Sequence, residues 1–367
     1  MASRKIAVLG GGHGARTVAA DMALAGHEVR LFEFEEFQAA VAGIFDRGEI
    51  TIEGKSRTGT AKLALATHQL AEATDGAEAV LIVVPALYHR RYAEALAPGA
   101  LSDGQHVVLV PGTLGSLEFI ATLRSLGCRA EVTVSELDTL PYATRITGPS
   151  SVLVYHALPV FGAGVFPARR SAEVLALLQE LYPGIARYRD VLEAGLSNCN
   201  PVIHPLGVLM NAGRIEYSRG EFWYYEEGIT PSTARAMEKL DEERREIGRK
   251  LGLELPDQAE ALHAVDYGPR GDLWEALKGS KGLTPIKGPT SLTNRYLTED
   301  IPIGLVCWSQ LGEMLGVPTP LMRATVEIGI AISGRDYWQT GRTLEKCGIQ
   351  GMSAEELCAY VQSGHKP

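Results

Sequence analysis

The stretch "VLGGGHGARTVAADMALAGHEVRLFEF", Val8 to Phe34, decides the fold. It begins inside "KIAVLG" (Lys5 to Gly10), a short apolar run that closes on glycine. Within it, "TVAADMALAGHE" carries apolar residues at helical spacing and stops at Gly26, and "EVRLFEF" (Glu28 to Phe34) reads as a second strand. Gly10, Gly12 and Ala15 fit G-x-G-x-x-[GA] at the strand-to-helix junction. Gly10 permits a tight turn, and Gly12 lets the backbone approach a pyrophosphate. A small residue at Ala15 allows close packing of helix on strand. The helix start, with His13 and Gly14, then offers free N–H groups to phosphate oxygens.

A glycine-rich turn without a ligand is the bland reading of such a motif. Here the second strand also ends in an acid, Glu33, 21 residues after Gly12, where a carboxylate accepts hydrogen bonds from a ribose 2′-hydroxyl. Strand, helix and acid together favour a bound dinucleotide. Pro85, closing the run "AVLIVVP", joins the cofactor-binding candidates. Glu33 repels a 2′-phosphate, and Phe34 and Glu35 add no positive charge, so NAD(H) is favoured. Arg16 and Arg30 lie close in sequence and keep NADP(H) open.

Working outward, "AVLIVVP" (Ala79 to Pro85) and "HVVLVPG" (His106 to Gly112) are continuous apolar runs, as expected of parallel strands covered on both faces. "EVTVSE" (Glu131 to Glu136) and "SSVLVYHA" (Ser150 to Ala157) read as a continuation of the series. The alternation gives an α/β fold, a doubly wound and mostly parallel Rossmann-type sheet. From about Glu180 strand-like runs become scarce. "TPSTARAMEKLDEERREIGRKLG" has Thr230 as N-cap and Pro231 at the first helical position. Met237, Leu240, Ile247 and Leu251 line one face, and Gly252 ends it. Its alternating charges read as a solvated face. "LVCWSQLGEMLG" and "LMRATVEIGIAISG" read as buried helices. The expected organisation is a dinucleotide-binding domain over 1–185 and a mainly helical domain over 186–367, divided near "YPGIARYRD" at Pro183 and Gly184.

At 46% apolar and 22% charged residues, the 367-residue chain has the composition of an ordinary globular protein. Its net charge of −9 and lack of a basic run exclude a nucleic-acid binder. The five cysteines are odd in number and scattered, without a CxxC. They point to thiols in a reducing cytoplasm rather than to disulfides or a metal site. No stretch approaches the roughly 20 apolar residues of a membrane helix, and no membrane partner is expected. An apolar helical domain is compatible with a homodimer.

"NCNPVIHPLGVLMN" (Asn198 to Asn211) sets one histidine in an apolar stretch. In a continuous helix, Ser197, Asn200, His204, Gly207 and Asn211 fall on one polar or small stripe, which must face partners or a cavity. Pro201 and Pro205 each cost about 3 kcal/mol in a helix interior, so a kink or break is expected near His204, and such a break suits a cavity wall. The alternative is a core histidine bonded to a carbonyl. Several dehydrogenases with this architecture use a lysine on the first helices of the second domain. Val191 to Glu216 contains none, which leaves His204 as the candidate for proton transfer.

"NCNPVIHPLGVLMNAGR", "YYEEGITPS", "NRYLTEDIPIGLV" and "GRTLEKCGIQG" resemble the opine dehydrogenases over almost the whole chain. The resemblance implies an NAD(P)H-dependent reductive condensation of an amino acid or amine with a 2-oxo acid, often pyruvate, to a secondary amine, and the reverse oxidation. It implies that His204 is the catalytic histidine, Asp300 its acidic partner and Arg295 a binder of substrate carboxylate. Asn200 and Asn211 join as substrate-binding candidates on the stripe alone. The chemistry suits the residue types. A histidine titrating near neutrality serves the proton transfers of imine formation and reduction. A carboxylate behind it fixes the tautomer, and a guanidinium clamps a carboxylate with two parallel hydrogen bonds. Asp300 and Arg295 read equally well as surface charges until geometry joins them to His204. "SELDTLPYATR" (Ser135 to Arg145) leaves the last strands where doubly wound folds bind ligands, a position from which to select the amine. Two rivals remain at this level: direct reduction of a 2-oxo or 3-oxo acid to a hydroxy acid, and a non-catalytic NAD(P)H sensor.

Overall fold

The computed structural model describes residues 3–366. Twelve strands are present among them. In chain order they are β1 (Lys5–Leu9), β2 (Glu28–Phe32), β3 (Glu49–Gly54), β4 (Gly59–Lys62), β5 (Leu65–Thr67) and β6 (Ala79–Ile82). They continue with β7 (His106–Leu109), β8 (Thr133–Leu137), β9 (Tyr142–Gly148), β10 (Ser151–Ala157), β11 (Phe161–Phe166) and β12 (Ile185–Arg187). Eight of them form one sheet in the order β12-β11-β8-β7-β6-β1-β2-β5. β1 lies between β2 and β6, parallel to both, and only the β8–β11 pairing is antiparallel. Every residue of β6 and β7 is buried, as runs apolar on both faces require.

"SSVLVYHA" does not continue that series. It forms β10 in a separate four-stranded sheet, β4-β3-β10-β9, parallel to β3 and antiparallel to β9. An apolar run reveals that a strand is covered, not which sheet covers it. The small sheet packs on α1 (His13–Leu24): the hydroxyls of Thr17 and Thr144 meet at 2.8 Å, and Tyr142 donates to Asp21 at 2.9 Å.

The chain divides into two compact units. One runs to Gly195 and takes back Val361–His365, and the other spans Leu196–Tyr360. The division therefore falls ten residues later than the 185/186 expected from Pro183 and Gly184. That turn leads into β12, the edge strand paired with β11. The segment after it also packs on the first unit, since a Cβ on Gly164 would lie 2.2 Å from the Asp190 carbonyl oxygen and 2.8 Å from Ala194 Cβ.

The second unit is helical. α3 (Asn200–Leu209), named after α2 (His89–Leu96) of the first unit, is followed by α4 (Pro231–Lys250), α5 (Val306–Leu315) and α6 (Pro320–Ser333). Thr230 caps α4 by accepting from the Thr233 amide, and Met237, Leu240 and Ile247 are fully buried. The charged sequence of α4 is only partly a solvated face. Arg244 and Asp241 pair at 2.7 Å in the interior, and Arg244 also donates to the carbonyls of Leu196 and Pro256. Glu243 accepts from the amides of Leu321 and Met322 at the start of α6.

Candidate active site

In the first unit the glycine loop leaves β1 and opens α1. Gly10 has φ +120°, and a Cβ there would lie 2.8 Å from the Val83 carbonyl oxygen, so only glycine turns the chain this way. A Cβ on Gly12 would meet nothing within 4 Å, and no side chain caps the helix it opens. The first turn of α1 thus presents its amides to open space, which fits a pyrophosphate. Ala15 is fully buried and packs against the loop; Gly14 lies against Leu140 and Val83. Glu33 follows β2 and is 8% exposed, and its Oε1 accepts from the Phe34 amide at 2.7 Å. Burial pushes its pKa up, against the hydrogen bonds from the Phe34 and Gly11 amides. Pro85 stands exposed beyond the end of β6, the parallel neighbour of β1.

His13 spends its side chain on the fold. Burial and the charges of Arg145 and Arg16 hold its imidazole below the usual pKa, and its Nδ1 accepts from the Ile146 amide at 2.8 Å. Its side chain ties α1 to β9, so only its backbone is left for a phosphate. Arg16 and Arg30 offer no fork to a 2′-phosphate either. Arg16 donates to the carbonyls of Gly11, Pro149 and Ala40, and Arg30 to those of Glu72 and Asp75.

In the second unit His204 is buried on α3, and both ring nitrogens are bonded. Nδ1 lies 2.7 Å from Asp300 Oδ2 and Nε2 lies 3.2 Å from the Tyr225 hydroxyl. The Tyr296 ring stacks on the imidazole at 3.7 Å between centroids and 12° between planes. Burial lowers the His204 pKa, Asp300 pulls it up, and Arg295 adds to the lowering. The resting imidazole is therefore neutral, with Nδ1–H donating to the carboxylate. Burial raises the Tyr225 pKa well above the usual phenol value, so its hydroxyl keeps its proton and donates to the Nε2 lone pair. The Tyr224 hydroxyl donates to the His204 carbonyl at 3.0 Å. Tyr224 can approach because residue 207 is glycine: a Cβ there would lie 2.1 Å from that hydroxyl.

The local backbone differs from expectation. α3 runs unbroken through Pro205. The interruptions come on either side, at Asn198–Cys199, where Asn198 Oδ1 accepts from the Asn200 amide, and at Met210–Asn211. Pro201 causes no break because it sits in the first turn, where its missing N–H has no partner to lose. The stripe from Ser197 to Asn211 is therefore not one helix face. Asn200 begins α3 half-buried, its Oδ1 3.7 Å from Cys199 Sγ. Asn211, the other candidate from the stripe, donates its amide to the carbonyls of Gly207 and Gly228 at 2.9 Å each.

Arg295 is the exposed residue of the group. Its side chain is 54% exposed, bonds Glu299 at 3.3 Å and carries its guanidinium 5.7 Å from the Tyr296 ring. In "SELDTLPYATR" two acids serve the fold. Glu136 accepts from the amides of Leu114 and Ser116, and Asp138 from the Gly162 amide and the Tyr188 hydroxyl. Burial pushes the Asp138 carboxyl up to about 6.

A glycine loop open to a pyrophosphate, together with a buried histidine–carboxylate pair in a helical unit, defines a dinucleotide-dependent dehydrogenase. Residues 5–150 match the family of NAD-dependent glycerol-3-phosphate dehydrogenase N-termini, and residues 187–333 the α-helical domain of NAD/NADP octopine/nopaline dehydrogenases. Opine dehydrogenase of Arthrobacter sp. (strain 1C) is 36% identical, covering 98% of this chain and 99% of its own. Octopine dehydrogenase in complex with NADH and agmatine shares the fold, with a TM-score of 0.80 at 22% identity over 100% of this chain and 99% of that one. NADP⁺-bound yersinopine dehydrogenase follows at a TM-score of 0.73 and 15% identity, over 98% of each chain. The chain belongs to the opine dehydrogenase family, NAD(P)-dependent oxidoreductases that act on CH–NH donors. Membership sets aside both the oxo-acid reductase and the non-catalytic sensor.

Proposed function

We propose that the protein condenses the amino group of an amino acid with a 2-oxo acid such as pyruvate, reduces the resulting imine to an N-(1-carboxyalkyl) amino acid, and runs the reverse oxidation. The 2.7 Å contact between His204 Nδ1 and Asp300 is the observation that carries this reading. Asp300 holds the proton on Nδ1, which leaves the Nε2 lone pair to accept one. His204 takes the two amine protons in turn and passes them to the oxo oxygen, which leaves as water, and it relays one proton from solvent to the nitrogen when hydride adds to the imine carbon. Tyr225 holds Nε2 until substrate replaces it. Arg295 clamps the oxo-acid carboxylate with the guanidinium edge turned to solvent. Gly10, Gly12, the backbone of His13 to Ala15, Glu33 and the turn at Pro85 would hold the dinucleotide, NAD(H) in preference, which would supply the hydride.

The quoted motifs most resemble N-(1-D-carboxyethyl)-L-norvaline dehydrogenase, which supports pyruvate and a short unbranched aliphatic amino acid as the substrates. A matrix of 2-oxo acids against amino acids, followed by NADH absorbance, tests both levels. NADH oxidation that needs both components, fastest with pyruvate and norvaline, is the expected result. Turnover with an oxo acid alone refutes the condensation, and a preference for arginine over norvaline refutes only the finer assignment.

Two further proposals concern context. Five cysteines that all keep their thiols support a reducing cytoplasmic setting, and among the described residues no helix is long and apolar enough to cross a membrane. Ile328 and Ile332, exposed one turn apart on α6, support a homodimer. A monomeric mass in analytical ultracentrifugation refutes the dimer.

A further inference from the structure

Arg91 of α2 lays its guanidinium 4.0 Å over the Phe34 ring. Its two terminal nitrogens are 2.6 and 2.8 Å from the two carboxylate oxygens of Glu36, a fork-to-fork pair. Phe34 is held in turn against Phe32 and Tyr92, at 5.0 Å from each ring. The assembly therefore adjoins Glu33, whose carboxylate lies over the glycine loop. Arg91 and Glu33 act on each other electrostatically, Arg91 drawing the Glu33 pKa down against burial. Arg16, the other cation that acts on Glu33, is buried with its donors on carbonyls. Arg91 is different: its partner is a side chain at the surface, 54% exposed.

We propose that the Glu36–Arg91 pair sets the cofactor preference: Glu36 occupies the guanidinium fork over Phe34 and so denies it to a 2′-phosphate. The strength of the pair is not the obstacle, because exposed ion pairs are weak. The obstacle is charge. Two carboxylates and one guanidinium leave the ribose end of the loop formally negative. A 2′-phosphate entering it meets both acids, while the fork that fits it is already filled. A neutral 2′-hydroxyl meets no such penalty. Replacing Glu36 with a neutral side chain makes the local formal charge zero and frees two parallel donors for a phosphate. The inference rests on the glycine loop holding a dinucleotide, and it assigns selectivity to residues outside the glycine motif and its acid.

The test is binding, with turnover as a second readout. NADH and NADPH are titrated by calorimetry into the wild type, Glu36→Gln, Arg91→Ala and the double variant, each checked for an unchanged thermal transition. In Glu36→Gln, affinity for NADPH should rise roughly 10-fold or more, while NADH stays within about 3-fold of wild type. In the double variant that gain should disappear. An unchanged NADPH-to-NADH ratio in Glu36→Gln overturns the proposal, as does a gain that survives removal of Arg91. A wild type that binds neither cofactor overturns the dinucleotide reading of the loop, and the proposal with it.

Discussion

Asp300→Asn tests the active site most sharply. The change keeps size and shape but removes the charge behind His204 Nδ1, 2.7 Å away. In the proposed cycle His204 accepts a proton, and an imidazolium and a carboxylate then stand with charge centres about 4 Å apart. At an effective dielectric of about 20 their attraction is about 4 kcal/mol, and at 1.36 kcal/mol per decade that is roughly three decades of rate. The asparagine amide can also donate to Nδ1. That drives the ring proton to Nε2 and removes the accepting lone pair; the corresponding change in serine protease triads costs about 10⁴. We therefore expect kcat to fall roughly 10³–10⁴-fold, with NADH affinity unchanged. Asp300 raises the His204 pKa against burial. Without it the imidazole becomes less basic still, so the acid limb of kcat/KM for secondary-amine oxidation, which requires neutral His204, moves to lower pH. Steady-state NADH absorbance across pH, with cofactor titration by fluorescence, reads both effects. A variant within 10-fold of wild-type kcat refutes the role given to the pair. His204→Ala is a poorer test, because it strands a carboxylate that is 4% exposed, at a stability cost of about 3–5 kcal/mol.

Three other perturbations separate the roles of neighbouring residues. Tyr225→Phe removes a donor that favours neutral Nε2, so the His204 pKa should rise and the same acid limb move to higher pH; an unmoved limb in the pH–rate profile dismisses the contact. Arg295→Lys keeps the charge but loses the planar fork, and should raise KM for the oxo acid roughly 10–100-fold with a smaller effect on kcat; an unchanged KM places the carboxylate elsewhere. Asn211→Ala deletes two hydrogen bonds to carbonyls and should lower stability by about 2 kcal/mol in urea melts while leaving both KM values intact; a raised KM for the amino acid restores the substrate-binding role.

What the sequence reveals follows from how local each feature is. The turn at Gly10, the open face at Gly12 and the acid at Glu33 lie within one strand–helix–strand unit, and that unit folds as its pattern dictates. Thr230 and the buried face of α4 are equally local. "SSVLVYHA" reads as part of the large sheet because an apolar run looks the same in either sheet, whereas β10 buries only the Val152 and Val154 face and leaves Tyr155 exposed. Pro183 and Gly184 mark a turn whether or not a domain ends there, and the compact units divide at Gly195. The stripe that singles out His204 is one that the structure breaks at both ends. Its carboxylate partner lies 96 residues away. Nothing in periodicity joins the two; the family resemblance supplied that link. Tyr224, Tyr225 and Tyr296 escaped notice as partners of His204, although two of them stand side by side in "YYEEGITPS" and the third follows Arg295. Three tyrosines around one histidine look, in sequence, like core aromatics.

The way those partners reach His204 explains why helical spacing misses them. Tyr224 and Tyr225 belong to a π-helical turn, Tyr224–Gly228, and Asp300 begins another, Asp300–Leu305. Each such turn inserts a residue into the helical repeat and re-aims the side chains that follow, a device found mostly at functional sites. The first is pinned from outside by the Tyr224 amide donating to the Ile286 carbonyl, and from within by Asn211 on the Gly228 carbonyl. The imidazole is thus gripped at Nδ1 by one irregular turn and at Nε2 by the other, and its carbonyl is held from the same side as Nε2. Regular α3 supplies the histidine; the irregular turns fix its tautomer and plane. Gly207 belongs to the same device, since its missing side chain is the space Tyr224 fills. A base that must be neutral at rest and charged in turnover needs its surroundings fixed before substrate arrives, because dipoles already in place cost no reorganisation at the moment of proton transfer. The irregular turns of this unit therefore lie where the proposed base needs them, and the prolines of α3 are accommodated within a regular helix.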